Sequence, residues 1–235
     1  MLPITIDNKL TWNEHIEALC KKLRCTVGQL NRIRSYIPER FFKSLYHSLF
    51  ESHLNYGITI WGIASKKKID QLFIIQKHCI RVLFGDRIAY NDKFKTSARC
   101  RPMGSQILGA PFYKKEHSKP LFNKHGLLTV QNLYKFQTIT TTYKTLQAHV
   151  PITFHSLVTP SSRKGSLLLV PTYSNTFPYH ASSLWNKFCS CKEGSTISDF
   201  SCGIGAIKNV VRKLITERQK IGEIDEWSEE NFQLK

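Results

Sequence analysis

Chemistry needs carboxylates, imidazoles or thiols in suitable company, and this 235-residue chain sets few of them together. Between Glu116 and Glu193 there is no carboxylate, so that span offers neither a general acid and base pair nor a site for a hard cation. His78 and Cys79 are neighbours, but adjacent side chains on a helix diverge by about 100°, which predicts a buried thiol beside an exposed imidazole and no shared site. The seven cysteines, Cys20, Cys25, Cys79, Cys100, Cys189, Cys191 and Cys202, contain no C-x-x-C pair. Disulfides are not expected in a reducing compartment. Cys189, Cys191 and Cys202 lack the paired spacings of structural zinc, and no histidine follows His180. Gly203 and Gly205 lack the Gly-Lys-Ser/Thr ending of a phosphate loop. No catalytic residue, metal site or cofactor is expected of the chain as it stands.

What remains for chemistry is cations. Lys and Arg number 34 against 17 Asp and Glu, for a net charge of +17. Residues 1–90 carry 14 basic and 7 acidic side chains, residues 91–220 carry 19 and 5, and residues 221–235 carry 1 and 5. Such a field favours phosphate-rich partners. Lys21, Lys22, Arg24, Arg32 and Arg34, and then Lys66, Lys67, Lys68, Lys77 and Arg81, mostly fall off the apolar stripes of two helices and are candidates to contact RNA, DNA or their hybrid through phosphates. Arg99, Arg101, Lys114 and Lys115 could follow a phosphate backbone from a basic segment. The alternative for all of them is a solubilising surface. No run of 18 apolar residues and no signal-peptide pattern is present, so the expectation is an intracellular protein, nuclear or cytoplasmic, neither secreted nor membrane-spanning.

The elements that must hold these cations are helices. Ile16, Leu19, Cys20, Leu23, Val27 and Leu30 share one narrow stripe, with Thr11 as expected N-cap and Glu14 as its capping-box partner. Pro38 to Gly62 reads as one long middle helix, with Phe41, Phe42, Leu45, Leu49 and Tyr56 on one side and Tyr46, Phe50 and Leu54 widening the apolar arc. Trp61 and Tyr56, although able to stack on bases, are expected in the core. Ile69, Leu72, Phe73, Ile80 and Leu83 form a third stripe between a Ser65 cap and Gly85. Short connections predict an antiparallel three-helix bundle over 9–85. A basic linker or loop over 86–117 follows, and then a mostly helical region over 118–220. That region has helices near 118–122, 129–148, 179–188 and 197–218, and one short strand or extended segment in SLLLVP. Residues 221–235 read as an acidic, frayed tail. Ile74 and Ile75 lie off the bundle stripe, and the helix over 129–148 is expected to fold back and cover them. The fold class is therefore mainly α: a three-helix bundle, then a mostly helical region with one or two short strands.

Three runs carry a resemblance: ITIDNKLTWNEHI, the LY-x-SL then LNYG-x-x-x-WG pattern ending in Leu54, Asn55, Tyr56, Gly57, Trp61 and Gly62, and LFIIQKHCIRVLFG. In order they resemble the thumb of reverse transcriptases from non-LTR (LINE, jockey-like) retrotransposons. HSKPLFNKHGLLTVQNLYKFQ is similar to the segment after that thumb, and SRKGSLLLVP with ASSLWNKF to the C-terminal part of the element's protein. The resemblance implies a thumb that grips template and primer, an absent palm and fingers as partners, and an RNA-directed DNA polymerase as parent. In that family adjacent palm aspartates hold Mg²⁺. This chain has no Asp-Asp pair. Met1 to Asp7 resembles the last palm strand, so the chain is expected to begin just after the active site and to lack the catalytic palm and the endonuclease. The reading is thus a truncated C-terminal fragment with nonspecific duplex binding. The alternatives are a retained helical RNA-binding or protein-interaction module, or a remnant without function, which the genomic frame upstream of Met1 would separate.

Overall fold

The computed structural model describes residues 4–85, 87–88, 112–113, 118–161, 167–174, 176–191 and 203–221. The chain is mainly helical. Helix α1 (Asn13–Ile33) buries the whole expected stripe, Ile16, Leu19, Cys20, Leu23, Val27 and Leu30. Its start differs from expectation, because Trp12 precedes the helix in the left-handed region at φ 61° and no side chain caps it. Thr11 and Trp12 instead donate their N–H groups to the Asp7 carboxylate at 2.9 and 3.0 Å. With Trp12 buried, Asp7 does the organising that a capping box would do. Ile4–Asp7 form no strand, and Met1–Pro3 lie outside the described residues.

The middle helix is continuous only in part. A 3₁₀ turn over Glu39–Phe41 leads into α2 (Phe42–Leu45), a wide π-type turn over Tyr46–Glu51, and α3 (Ser52–Asn55). The chain then breaks at Tyr56–Gly57 before a single turn, α4 (Ile58–Trp61), where a helix through to Trp61 was expected. In an α-helix a step of four residues drifts about 40° around the axis. The wide turn takes up that drift, so Phe42, Tyr46, Phe50 and Leu54 all face inward. The stripe expected through Phe41, Leu49 and Tyr56 is displaced, and these three are 45%, 41% and 40% exposed. Trp61 is buried as expected; Tyr56 is not.

Helix α5 (Lys66–Phe84) buries Ile69, Leu72, Ile80 and Leu83, with Phe73 half-buried, but Ser65 makes no side-chain cap bond. It runs parallel to α1, since Lys68 meets Glu17 near the two N-termini at 2.8 Å and Arg34 Nη2 donates to the Gly85 carbonyl at the other end at 2.9 Å. The intervening segment thus runs antiparallel to both.

Beyond the bundle lie α6 (Ser118–His125), α7 (Val130–Leu146), α8 (Phe177–Cys189) and α9 (Ile204–Ile221). Thr129 caps α7 by accepting from the Asn132 N–H at 3.3 Å. Helix α7 packs against α8, α9, α4 and α5, so it is covered on several sides. Three of its buried threonines are satisfied locally, the hydroxyls of Thr140, Thr142 and Thr145 donating to the carbonyls of Phe136, Thr138 and Thr141 at 2.7, 2.8 and 3.0 Å, whereas the fully buried Thr138 hydroxyl has no hydrogen-bond partner among the described residues. Two-residue strands β1 (Arg87–Ile88) and β2 (Phe112–Tyr113) pair antiparallel. Leu168 of the expected extended segment bridges to Pro160, and its backbone is held from the other side by Asn186, at 2.8 Å to each of its N–H and carbonyl. The last helix begins, in the described residues, at Ile204 instead of 197. Buried apolar residues from before and after residue 86 form one cluster.

The join between α5 and the later helices is not the expected one. Ile74 is 60% exposed, and Ile75, although buried, lies with Ile74 beside α1. Gln76 makes the join instead. Fully buried, it donates to the Tyr46 hydroxyl at 2.7 Å and the Leu128 carbonyl at 2.9 Å, and accepts from the Val130 N–H at 3.0 Å.

Candidate nucleic-acid interface

The ten candidate cations divide into two kinds. Lys21, Lys22, Arg24 and Arg32 on α1 and Lys66 and Lys67 on α5 are exposed. Lys21 and Arg32 point almost directly away from the buried stripe of α1, and Arg24 leans from it toward α5 by helix geometry. Lys22 lies on the opposite flank, close enough to His53 to help lower its pKa, although burial contributes more. The other four have structural company. Lys68 pairs with Glu17, whose carboxyl is held below its usual range first by the hydrogen bond from Lys68. Arg34 binds the Gly85 carbonyl and lies over the Phe42 ring at 5.4 Å. The Lys77 ammonium stands 4.5 Å from the Phe73 ring centroid, and Arg81 is half-buried. Arg99, Arg101, Lys114 and Lys115 lie outside the described residues.

The motif residues Leu54 to Gly62 build the junction between the bundle and α7. Leu54 is buried, and Asn55 Oδ1 accepts from Gln137 of α7 at 3.0 Å. Gly57 at φ +65° makes the break, and the Trp61 indole N–H donates to the Tyr56 carbonyl at 2.9 Å. At Gly62 an added Cβ would collide with the Ile58 carbonyl and the Tyr134 ring of α7. These residue types are dictated by a tight turn pressed against a neighbouring helix.

Between the parallel helices α1 and α5 runs an open groove of about 440 Å³. Val27, Ile75 and Val82 are its buried apolar members, Gly28 opens it, and Arg24, Asn31, Gln71, Ile74 and His78 complete its lining. His78 is exposed, as expected, with a pKa lowered by the shelter its ring does have and then by Arg81. Cys79 is fully buried, as expected, and burial pushes its thiol far up. Sequence reasoning missed both the groove and Gln76. The one signal for Gln76 is an amide side chain within the apolar arc of α5.

Among the described residues no three His, Cys, Asp or Glu side chains are grouped to hold a metal ion. No helix among them is long and apolar enough to cross a membrane.

The chain is 29% identical over 87 residues to the RNA-directed DNA polymerase from mobile element jockey of Drosophila melanogaster, covering 36% of this chain and 10% of that protein. It is 28% identical over 85 residues to a probable RNA-directed DNA polymerase from transposon BS of the same organism, covering 35% of this chain and 9% of that protein. The chain thus spans about a tenth of the length of the curated relatives it matches. No family model matches. No solved structure matches.

Proposed function

We propose that this chain is part of a mobile-element RNA-directed DNA polymerase, and that its α1–α5 bundle grips the template-primer duplex as a thumb. The observation that carries the reading is the set of six exposed cations, Lys21, Lys22, Arg24, Arg32, Lys66 and Lys67, on two parallel helices. The partial similarity to two such polymerases supports it. Lysine and arginine on rigid helices read phosphates without reading bases, so the partner is RNA, DNA or their hybrid with little sequence preference. On this reading 9–85 is the thumb and 118–220 the region that follows it, braced by Gln76 and Gly62. Nucleotide incorporation needs metal-holding carboxylates, and those belong to the palm and fingers that the thumb serves. The setting is the nucleus or cytoplasm, where such duplexes occur.

The test is fluorescence anisotropy of a labelled RNA/DNA hybrid titrated with the full chain in rising salt. Five phosphate contacts, Lys22 being on the other flank of α1, predict a log-log slope of about −4.5, taking the B-form value of about −0.9 per contact. Affinity that stays the same as salt rises, or no binding at low salt, would remove the reading.

A further inference from the structure

The α1–α5 groove is poorly suited to phosphate along its floor, which is made by Val27, Ile75 and Val82, with the side chain of Ile74 60% exposed at the edge. Its rim carries the Arg24 guanidinium. The matching ligand has apolar side chains interleaved with carboxylates. One stretch of this chain has that composition. Residues 222–235, GEIDEWSEENFQLK, place Ile224, Trp227, Phe232 and Leu234 among five acidic residues and one lysine, while the rest of the sequence carries 33 basic residues against 12 acidic.

The stretch also starts within reach of the groove. Near the end of α9, Gln219 donates to the Leu127 carbonyl at 3.0 Å, and the next residue, Leu128, accepts from Gln76 of α5 at 2.9 Å. Ile74 is two residues from Gln76 on the same helix but about 200° around its axis, so the segment must pass around α5 to reach the groove. Fourteen residues can span about 46 Å when extended, several helix diameters. We propose that the acidic segment 222–235 docks in this groove, seating Trp227 or Ile224 against Ile74 and Ile75 and setting its carboxylates beside Arg24. Docked there, it covers part of the basic face and competes with phosphates. That second consequence rests on the duplex-binding reading; the docking does not.

The experiment therefore begins without nucleic acid. Trp12, Trp61 and Trp185 are all buried, so subtracting a Trp227→Phe variant from the full chain isolates emission from Trp227. Docking predicts blue-shifted Trp227 emission, shielded from acrylamide. Ile74→Asp and, separately, Arg24→Glu should return it to the emission and quenching of a free tryptophan side chain, with far-UV circular dichroism unchanged. A Trp227 already as accessible as a free side chain overturns the proposal. So does shielding that neither variant alters, which would place the segment elsewhere, or shielding that grows with protein concentration, which would make the occupant a second copy. In the presence of hybrid duplex, removing 222–235 should raise affinity about tenfold if the groove is nine-tenths occupied. Shielding that obeys the variants without any duplex binding would refute the thumb reading and leave the docking intact.

Discussion

Replacing Gln76 by Leu keeps the volume of the side chain and removes every polar atom from the join between the bundle and α7. The Val130 N–H, the Leu128 carbonyl and the Tyr46 hydroxyl would each lose a partner 2.7 to 3.0 Å away. Tyr46 and Gln76 are fully buried, so water does not replace those bonds without opening the structure. An unpaired buried polar group costs about 1 to 3 kcal/mol, which makes the expected loss for three such groups about 3 to 9 kcal/mol. Against a typical total of about 5 to 15 kcal/mol that is severe. Tyr46→Phe removes one bond and should cost about 1 kcal/mol, and the two losses should not add, because both variants break the same contact. The assay is urea unfolding followed separately through variants that retain only Trp61 or only Trp185, one on each side of the join. In the parent chain the two transitions should coincide, because one core contains both indoles. In Gln76→Leu the midpoints should fall, and the Val130 amide should lose protection from hydrogen exchange. A loss below about 1 kcal/mol, or separate transitions in the parent chain, would refute Gln76 as the tie between the halves.

Four further outcomes follow from the geometry. Gly62→Ala should destabilise by about 1 to 3 kcal/mol, since the methyl group meets backbone as well as the Tyr134 ring; an unchanged urea midpoint would contradict the packing. Burial lowers the pKa of His15, and burial is also the leading cause for His53, His78 and His125. Each therefore holds fewer protons folded than unfolded, so stability should rise with pH through the interval just below the unfolded histidine value near 6.5 and level off at lower pH. His15→Gln should make that slope shallower, and an identical slope would show that His15 is not sheltered. The Asp7 carboxyl is held down at about 2, first by the Thr11 hydroxyl, so protection of the Thr11 and Trp12 amides should persist at pH 3.5 and vanish in Asp7→Ala. With a thiol reagent and mass mapping, Cys25, which is exposed, should react in the native protein, whereas Cys79, which is buried, should wait for unfolding.

The parts of this fold that obey a single period were legible. The α1 stripe from Ile16 to Leu30 and the α7 stripe from Leu133 to Tyr143 are buried as their spacing requires. Where two periods compete, spacing alone does not settle which residues face inward. Phe42, Tyr46, Phe50 and Leu54 repeat every four residues, which an ideal α-helix does not keep on one face, and the wide turn that reconciles them carries no marker residue. A helix continued through Gly57 would carry Tyr56 inside, whereas the left-handed glycine ends it and turns the ring outward. Gln76 was invisible for a different reason. A buried amide earns its place through partners 30 to 54 residues away, and no local pattern announces them. The cations were easy to find by position, but sequence could not separate Lys68 and Arg34, which are engaged within the fold, from Lys21 and Arg32, which stand clear of it.

That separation gives the most direct test of the proposed duplex grip. Lys21, Arg32, Lys66 and Lys67 changed together to Gln remove four exposed charges without touching a buried residue or the groove. Measured by anisotropy on the same RNA/DNA hybrid, the magnitude of the salt slope should fall by about 0.7 to 0.9 for each lost phosphate contact, about 3 in all, with affinity weakened equally for unrelated sequences. The same slope and affinity as the parent chain, with the fold intact by circular dichroism, would contradict the claim that this face holds nucleic acid.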